Sequence, residues 1–387
     1  MTGQLLKGYN YTLRFYEGIW VQITGYGNKK FKVNISSDDI DISEYLSSNN
    51  EIHIPILYYQ NWNIEIWDGT TLLLNHNFNL NKKDVLIVFV SNAIGDTIAW
   101  IPYVEEFRKK HDCNIYCVTF YNNLFNTSYP DIHFIDGYHT TNKMGYFKDM
   151  FSKMGKEPYV IYQIGWFVYQ QQMNFGKNKV GINIPNNPFN IPLQKAASDG
   201  LGLTPYKEIK PLITPSNKPS THKKPYITIS EYASNYGRNK MWTYPYGWQV
   251  VVDWLVDRGY YVIAISKEPT QLKNVVNLTG DNYSLKDRVH QIQHSEMFIG
   301  VSSGLAWLSW GLNIPVMMIS NSTAHLHEFQ NGNIRIINRP KCEMCDGVYK
   351  PYGMYLDTCE HHQNEDLNSK INPEYVINKL KENLIIT

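Results

Sequence analysis

Cysteine is scarce in this chain: five residues in 387 are too few for a disulfide scaffold. Charge of one sign is also lacking, since 36 basic against 35 acidic residues leave a formal net charge of +1 and no global field to draw the chain onto nucleic acid or an anionic membrane. No apolar run is long enough to span a bilayer, and the opening MTGQLLKGYNYTLRFYEG has neither the apolar core nor the cleavage pattern of a signal peptide. These absences make a cytoplasmic protein the expectation, without membrane insertion and without a nucleic-acid partner. A P-loop, a dinucleotide fingerprint and a Ser-His-Asp arrangement are missing too, and acidic residues are too widely spread for spacing to select a glycosidase pair. What is present, 43% hydrophobic and 14% aromatic residues, can bury a large core over two or three domains.

Up to about residue 80, short aromatic and β-branched runs such as YTLRFY, IWVQITG, KFKVNIS and NWNIEIW are broken by Gly, Asn and Asp, which predicts a small all-β domain over 1–80. VLIVFV then has the continuous apolar character of a strand buried on both faces of a parallel sheet, and TIAWIPYVEEFRKKH after it has helical spacing with a basic last turn. With NIYCVTF and EPYVIYQI it predicts a doubly wound lobe over 84–215. The Pro- and Lys-rich KPLITPSNKPSTHKKP reads as a linker, and alternating strands and helices from YITIS to IPVMMIS predict a second such lobe over 222–338. A cysteine cluster and an amphipathic helix, PEYVINKLKEN, occupy 339–387. The expected fold class is therefore α/β, with two Rossmann-like lobes, an all-β domain before them and a metal finger after them.

Ligands in such sheets bind at the carboxyl ends of the strands. There the stretch Ser91 to Thr97 joins the first buried strand to a helix: Gly95 permits a tight turn, and Asp96 is either a general base for a hydroxyl nucleophile or a cap for the helix. Ser302, Ser303, Gly304 and Leu305 form a second strand-to-helix loop, a cradle for a diphosphate or, with Ser303 as N-cap, a plain helix start. Lys240 lies at the same rim, where it either neutralises a departing nucleoside diphosphate or solvates a loop. Cys342-x-x-Cys345 followed by Cys359 has metal-type spacing, and His361 or His362 would complete a Cys3His site; Cys113 and Cys117 fall in a strand region and read as buried and inert.

SNAIGDTIAWIP (91–102) resembles the G-D motif of the bacterial heptosyltransferase superfamily, inverting enzymes of GT-B fold, and NKMWTYPYGW (239–248) resembles its K-x-W-P segment. The resemblance implies that Asp96 is the base, with Gly95 and Thr97 beside it, and that Lys240 contacts the ADP diphosphate. Lipopolysaccharide enzymes of this superfamily carry D-T-G-x-x-H where this chain has SSGLAW (302–307), which is similar instead to the branch that O-heptosylates serines of autotransporter adhesin passenger domains from ADP-heptose. That branch also carries an N-terminal β domain and a cysteine-bound iron finger. It thus implies one structural iron per chain on Cys342, Cys345 and Cys359, with zinc as the alternative, and His362 is the expected fourth ligand in place of a cysteine. Four cysteines are its usual set, and no fourth follows here. Catalysis is expected to need no divalent metal, and a homo-oligomer is the expected assembly. The rival expectations are a heptosyltransferase for a lipid-linked glycan and a catalytically silent nucleotide-sugar-binding scaffold.

Overall fold

The computed structural model describes residues 1–38, 40–140, 142–165, 192–222, 224–233, 240–321, 326–338 and 367–384. They form two compact units, the first of 1–92, 100–184 and 194–207, the second of 93–99, 185–193 and 208–387.

The first unit begins with eight antiparallel strands. Strands β1 (Thr2–Leu6), β2 (Tyr9–Arg14), β3 (Ile19–Gly25) and β6 (Asn50–Ile54) make one sheet in the order β1-β2-β3-β6; β4 (Lys30–Ser36), β5 (Asp41–Ser47), β7 (Asn63–Asp68) and β8 (Thr71–Asn77) make another, ordered β5-β4-β7-β8. Alternation explains them: in β4, Phe31, Val33 and Ile35 are fully buried while Lys32 and Asn34 between them face outward. Phe15, Phe78 and Tyr159 form an aromatic cluster that ties these strands to the parallel sheet that follows, helped by a hydrogen bond of 2.6 Å from the Tyr16 hydroxyl to the Pro158 carbonyl.

That sheet is parallel. β9 (Asp84–Phe89) leads into α1 (Ile94–His111); β10 (Asn114–Thr119), β11 (Ile132–Asp136), α2 (Lys143–Met154) and β12 (Val160–Ile164) follow, with strand order β11-β10-β9-β12. Val85 to Phe89 are each at most 3% exposed, as befits a strand covered on both faces. Because β9 lies between β10 and β12, the chain reverses direction across the sheet there, and the loop after β9 stands at a topological switch point. The short α3 (Lys195–Gly200) packs on β12.

In the second unit come β13 (Tyr226–Ser230), α4 (Gly247–Val256), β14 (Tyr261–Ala264), β15 (Val276–Asn277), α5 (Leu285–Ile292), β16 (Met297–Gly300), α6 (Gly304–Gly311), β17 (Val316–Ile319), β18 (Asn333–Ile336) and α7 (Pro373–Asn383). The six strands are parallel, in the order β15-β14-β13-β16-β17-β18, so the switch point lies between β13 and β16. The core under α4 and α7 joins Val251, Val252 and Leu255 to Val376 and Leu380 and to Ile227, Ile229 and Ile299 of the sheet. Each such side chain contributes roughly 1.5–3 kcal/mol by leaving water. Ser284 and Asp287 start α5 with a reciprocal capping box. Among the described residues no helix is long and apolar enough to cross a membrane.

Candidate functional site

All eight residues expected to bind substrate or act on it fall in the second unit, because the first turn of α1 clusters with it. Thr97 is buried, and its hydroxyl and its N–H both reach the Ala93 carbonyl, at 3.3 and 3.2 Å, closing that first turn. Asp96 stands one residue earlier, inside the helix and not at its N-cap position, at the end where the helix dipole favours a carboxylate.

The first turns of α1 and α6 meet at two glycines. A Cβ on Gly304 would lie 2.0 Å from Ile94 Cγ2 and 3.1 Å from the Gly95 nitrogen; a Cβ on Gly95 would lie 3.3 Å from Trp307 Cδ1 and 3.4 Å from Gly304 Cα. Glycine is thus required at 304 by close approach rather than by backbone angle. Two helix starts are brought together, and the leading N–H groups of any helix lack intrahelical partners. The arrangement suits an anion with several oxygens.

Ser303 caps α6 from extended backbone (φ −146°, ψ 171°), yet its side chain accepts no capping hydrogen bond, and its buried Oγ has no partner among the described residues. A plain helix cap would normally use that oxygen. Ser302 is buried and donates its hydroxyl to Glu328 Oε1, while Leu305 contributes a carbonyl that accepts from the Ser309 hydroxyl at 2.7 Å.

Lys240 is half-buried in the same unit. Burial pushes its ammonium below the usual lysine range; Glu328 and then Asp96 push it back up, and Arg335 adds to the lowering. Two carboxylates and two cations therefore share this end of the sheet. Glu328 and Arg335 are themselves ion-paired, with side chains 1% and 9% exposed. Breaking so buried a pair would cost roughly 3–5 kcal/mol. Sequence reasoning missed both. The signal was there, an arginine within the otherwise apolar run IRII of a parallel strand, where a charge needs a buried partner.

Glu231, directly after β13 at the switch point, was also missed. Burial raises its carboxyl above the usual range while the Thr270 hydroxyl, donating to it, opposes that shift. Cys342, Cys345, Cys359, His361 and His362 lie outside the described residues. Cys113 and Cys117 are buried free thiols, as expected; burial pushes Cys113 up to about 12 and Cys117 higher still.

No family model matches the chain. The autotransporter heptosyltransferase BAHTCr of Citrobacter rodentium is 29% identical over 310 residues, which span 76% of this chain and 68% of that protein. BimC of Burkholderia thailandensis, named an inactive autotransporter heptosyltransferase, is 26% identical over 316 residues, 78% of this chain and 66% of its own. In fold, the chain is similar to the dodecameric, iron-containing heptosyltransferase TibC of enterotoxigenic E. coli H10407, crystallised in complex with ADP-D-β-D-heptose: the TM-score is 0.77 at 23% identity, with 96% of each chain covered. The resemblance carried by residues 91–102, 239–248 and 302–307 is thereby borne out. The chain is thus similar to an autotransporter heptosyltransferase over 76% of its length, and it shares the GT-B-like fold of a heptosyltransferase.

Proposed function

We propose that the protein is an inverting glycosyltransferase that moves heptose from ADP-heptose to serine hydroxyls of an autotransporter passenger domain. The observation that carries this reading is the meeting of two helix starts at Gly95 and Gly304, with Asp96 and Lys240 electrostatically coupled beside them. A diphosphate needs such donors and positive ends, and a serine nucleophile needs a carboxylate within reach.

The reaction is a single displacement. Asp96 takes the serine proton; the serine oxygen bonds to the anomeric carbon as the bond from that carbon to the diphosphate oxygen breaks, and ADP leaves with the electron pair. Lys240 and the N–H groups following Ser303 hold the leaving group, and the Ser303 hydroxyl is available to it as a further donor. These groups supply the positive field that a divalent cation would otherwise supply to a diphosphate. Residues 1–80 and 84–215 serve the acceptor, 222–338 the nucleotide sugar, and 339–387 carry the metal finger.

For the metal, three thiolates and an imidazole, Cys342, Cys345, Cys359 and His362, form a donor set suited to a tetrahedral structural site. Its part is to fold and hold its segment, and no chemical step runs through it. Iron is favoured because TibC is iron-containing, and zinc suits the same ligands. TibC also motivates a homo-oligomer. A cytoplasmic location fits a soluble nucleotide-sugar donor.

The inactive relative BimC keeps a silent, nucleotide-sugar-binding scaffold as the second reading. Incubation with ADP-heptose and a passenger-domain acceptor, followed by mass spectrometry of the acceptor, separates the two. Heptosylated serines support the enzyme, and bound ADP without transfer supports the scaffold.

A further inference from the structure

Beneath the Ser302 loop lies a buried charged pair. Glu328 accepts from the Ser302 hydroxyl at the end of β16 and is ion-paired to Arg335 on β18. Arg335 in turn donates to the Ser320 carbonyl, at 3.3 Å from Nε and 3.1 Å from Nη2, and its Nη1 lies 3.1 Å from Met318 Sδ. The pair thus links the loop after β16 and the end of β17 to β18. Burying a charge pair is expensive, and replacing such pairs with apolar residues is often neutral or stabilising. A purely structural account leaves that outlay unexplained.

Resting on the nucleotide-site reading above, we infer that Glu328 is a positioning residue for it: its carboxylate holds Ser302 beneath the start of α6 and supplies the buried negative charge that faces Lys240. Among the described residues, the charged groups around Lys240 are Glu328, Asp96 of α1 and Arg335 of β18. Glu328 is the stronger of the two groups favouring the ammonium form, and Asp96 is the other. Asp96 has a second task, because it receives the acceptor proton during turnover. Glu328 has no such task, so its charge is constant, and Lys240 stays cationic when Asp96 is protonated.

The test is the titration of Lys240 in the full-length free protein, followed by carbon-13 NMR of labelled lysine and identified by the resonance lost in Lys240→Arg. In Glu328→Gln the amide oxygen still accepts from Ser302 but the charge is gone, and the titration moves to lower pH. The double variant Glu328→Gln with Arg335→Met leaves no unpaired buried charge, so it keeps a folded protein for comparison, and the titration moves back toward the wild-type position. ADP affinity by calorimetry follows: Glu328→Gln binds within about twofold of wild type at pH values where Lys240 is cationic in both, and about tenfold more weakly where its own Lys240 is neutral and the wild type's is not. An unchanged Lys240 titration in Glu328→Gln overturns the inference. So does a shifted titration whose ADP binding keeps the wild-type pH profile. A shifted titration in a protein that binds no ADP even as wild type leaves the charge relation standing and removes the nucleotide reading instead.

Discussion

Gly304 packs so closely on the start of α1 that a Cβ there would fall 2.0 Å from Ile94 Cγ2 and 3.1 Å from the Gly95 nitrogen. Ile94 can rotate away, but the Gly95 backbone cannot move without separating the two helix starts. Gly304→Ala is therefore expected to cost about 1–3 kcal/mol in urea unfolding and to weaken ADP binding about tenfold. Gly95→Ala meets nothing nearer than 3.3 Å and should be milder on both measures. Equal effects of the two substitutions in calorimetry and urea titration would contradict this asymmetry.

Asp96→Asn preserves the shape of the first turn of α1 and removes the proton acceptor. Transfer should fall by roughly 10²–10⁴, while ADP affinity near pH 7 stays within a few-fold of wild type. Lys240→Ala should instead weaken ADP binding and turnover together. An Asp96→Asn variant that unfolds, or loses ADP affinity as severely as Lys240→Ala, would point to a structural role for Asp96.

The buried strands β9 and β16 were legible in the sequence because a strand covered on both faces must be apolar throughout, as VLIVF and MFIG are. The two glycine loops were legible for a local reason, since each follows such a strand and opens a helix. Their meeting was not, because residues 95 and 304 are joined by no sequence signal short of the fold itself. The Glu328–Arg335 pair was hidden in the same way: each charge is visible, but which charge answers which is a tertiary fact. α7 shows the same limit, since its amphipathic pattern is plain in PEYVINKLKEN but its sheet is not. Its place depends on contacts such as the 2.8 Å hydrogen bond from Trp242 Nε1 to the Ile371 carbonyl. The metal ligands, by contrast, lie outside the described residues and have been read from their spacing and from the resemblance.

His111, the last residue of α1, is lowered to about 4, chiefly by burial and secondarily by Lys110. Its ring lies 4.5 Å from Phe107 and 4.7 Å from Tyr59, and burial there outweighs the helix end that would favour a cation. An unfolded histidine near 6.5 binds its proton more tightly than this folded one, so the stability contributed is complete above pH 6.5 and is lost as pH falls toward 4. Because the ring is only half-buried, the loss should be about 1–2 kcal/mol. His111→Phe should flatten the stability profile over that window, as followed by urea unfolding at several pH values; an unchanged slope would contradict the assignment.

Protein purified without added metal should carry about one iron or zinc per chain by elemental analysis. Chelation or Cys342→Ser should expose residues 340–370 to protease before the rest of the chain, because metal binding supplies part of that segment's folding free energy. A stoichiometry near zero with an unchanged digestion pattern would leave three ordinary cysteines.

The central claim is transfer itself. Purified protein, ADP-heptose and a serine-bearing autotransporter passenger domain should together yield acceptor heavier by whole heptose residues in mass spectrometry, with the additions on serine and absent for Asp96→Asn. Unmodified acceptor, in a mixture where the wild-type protein is folded and binds ADP-heptose and an active relative modifies that same acceptor, would contradict the account.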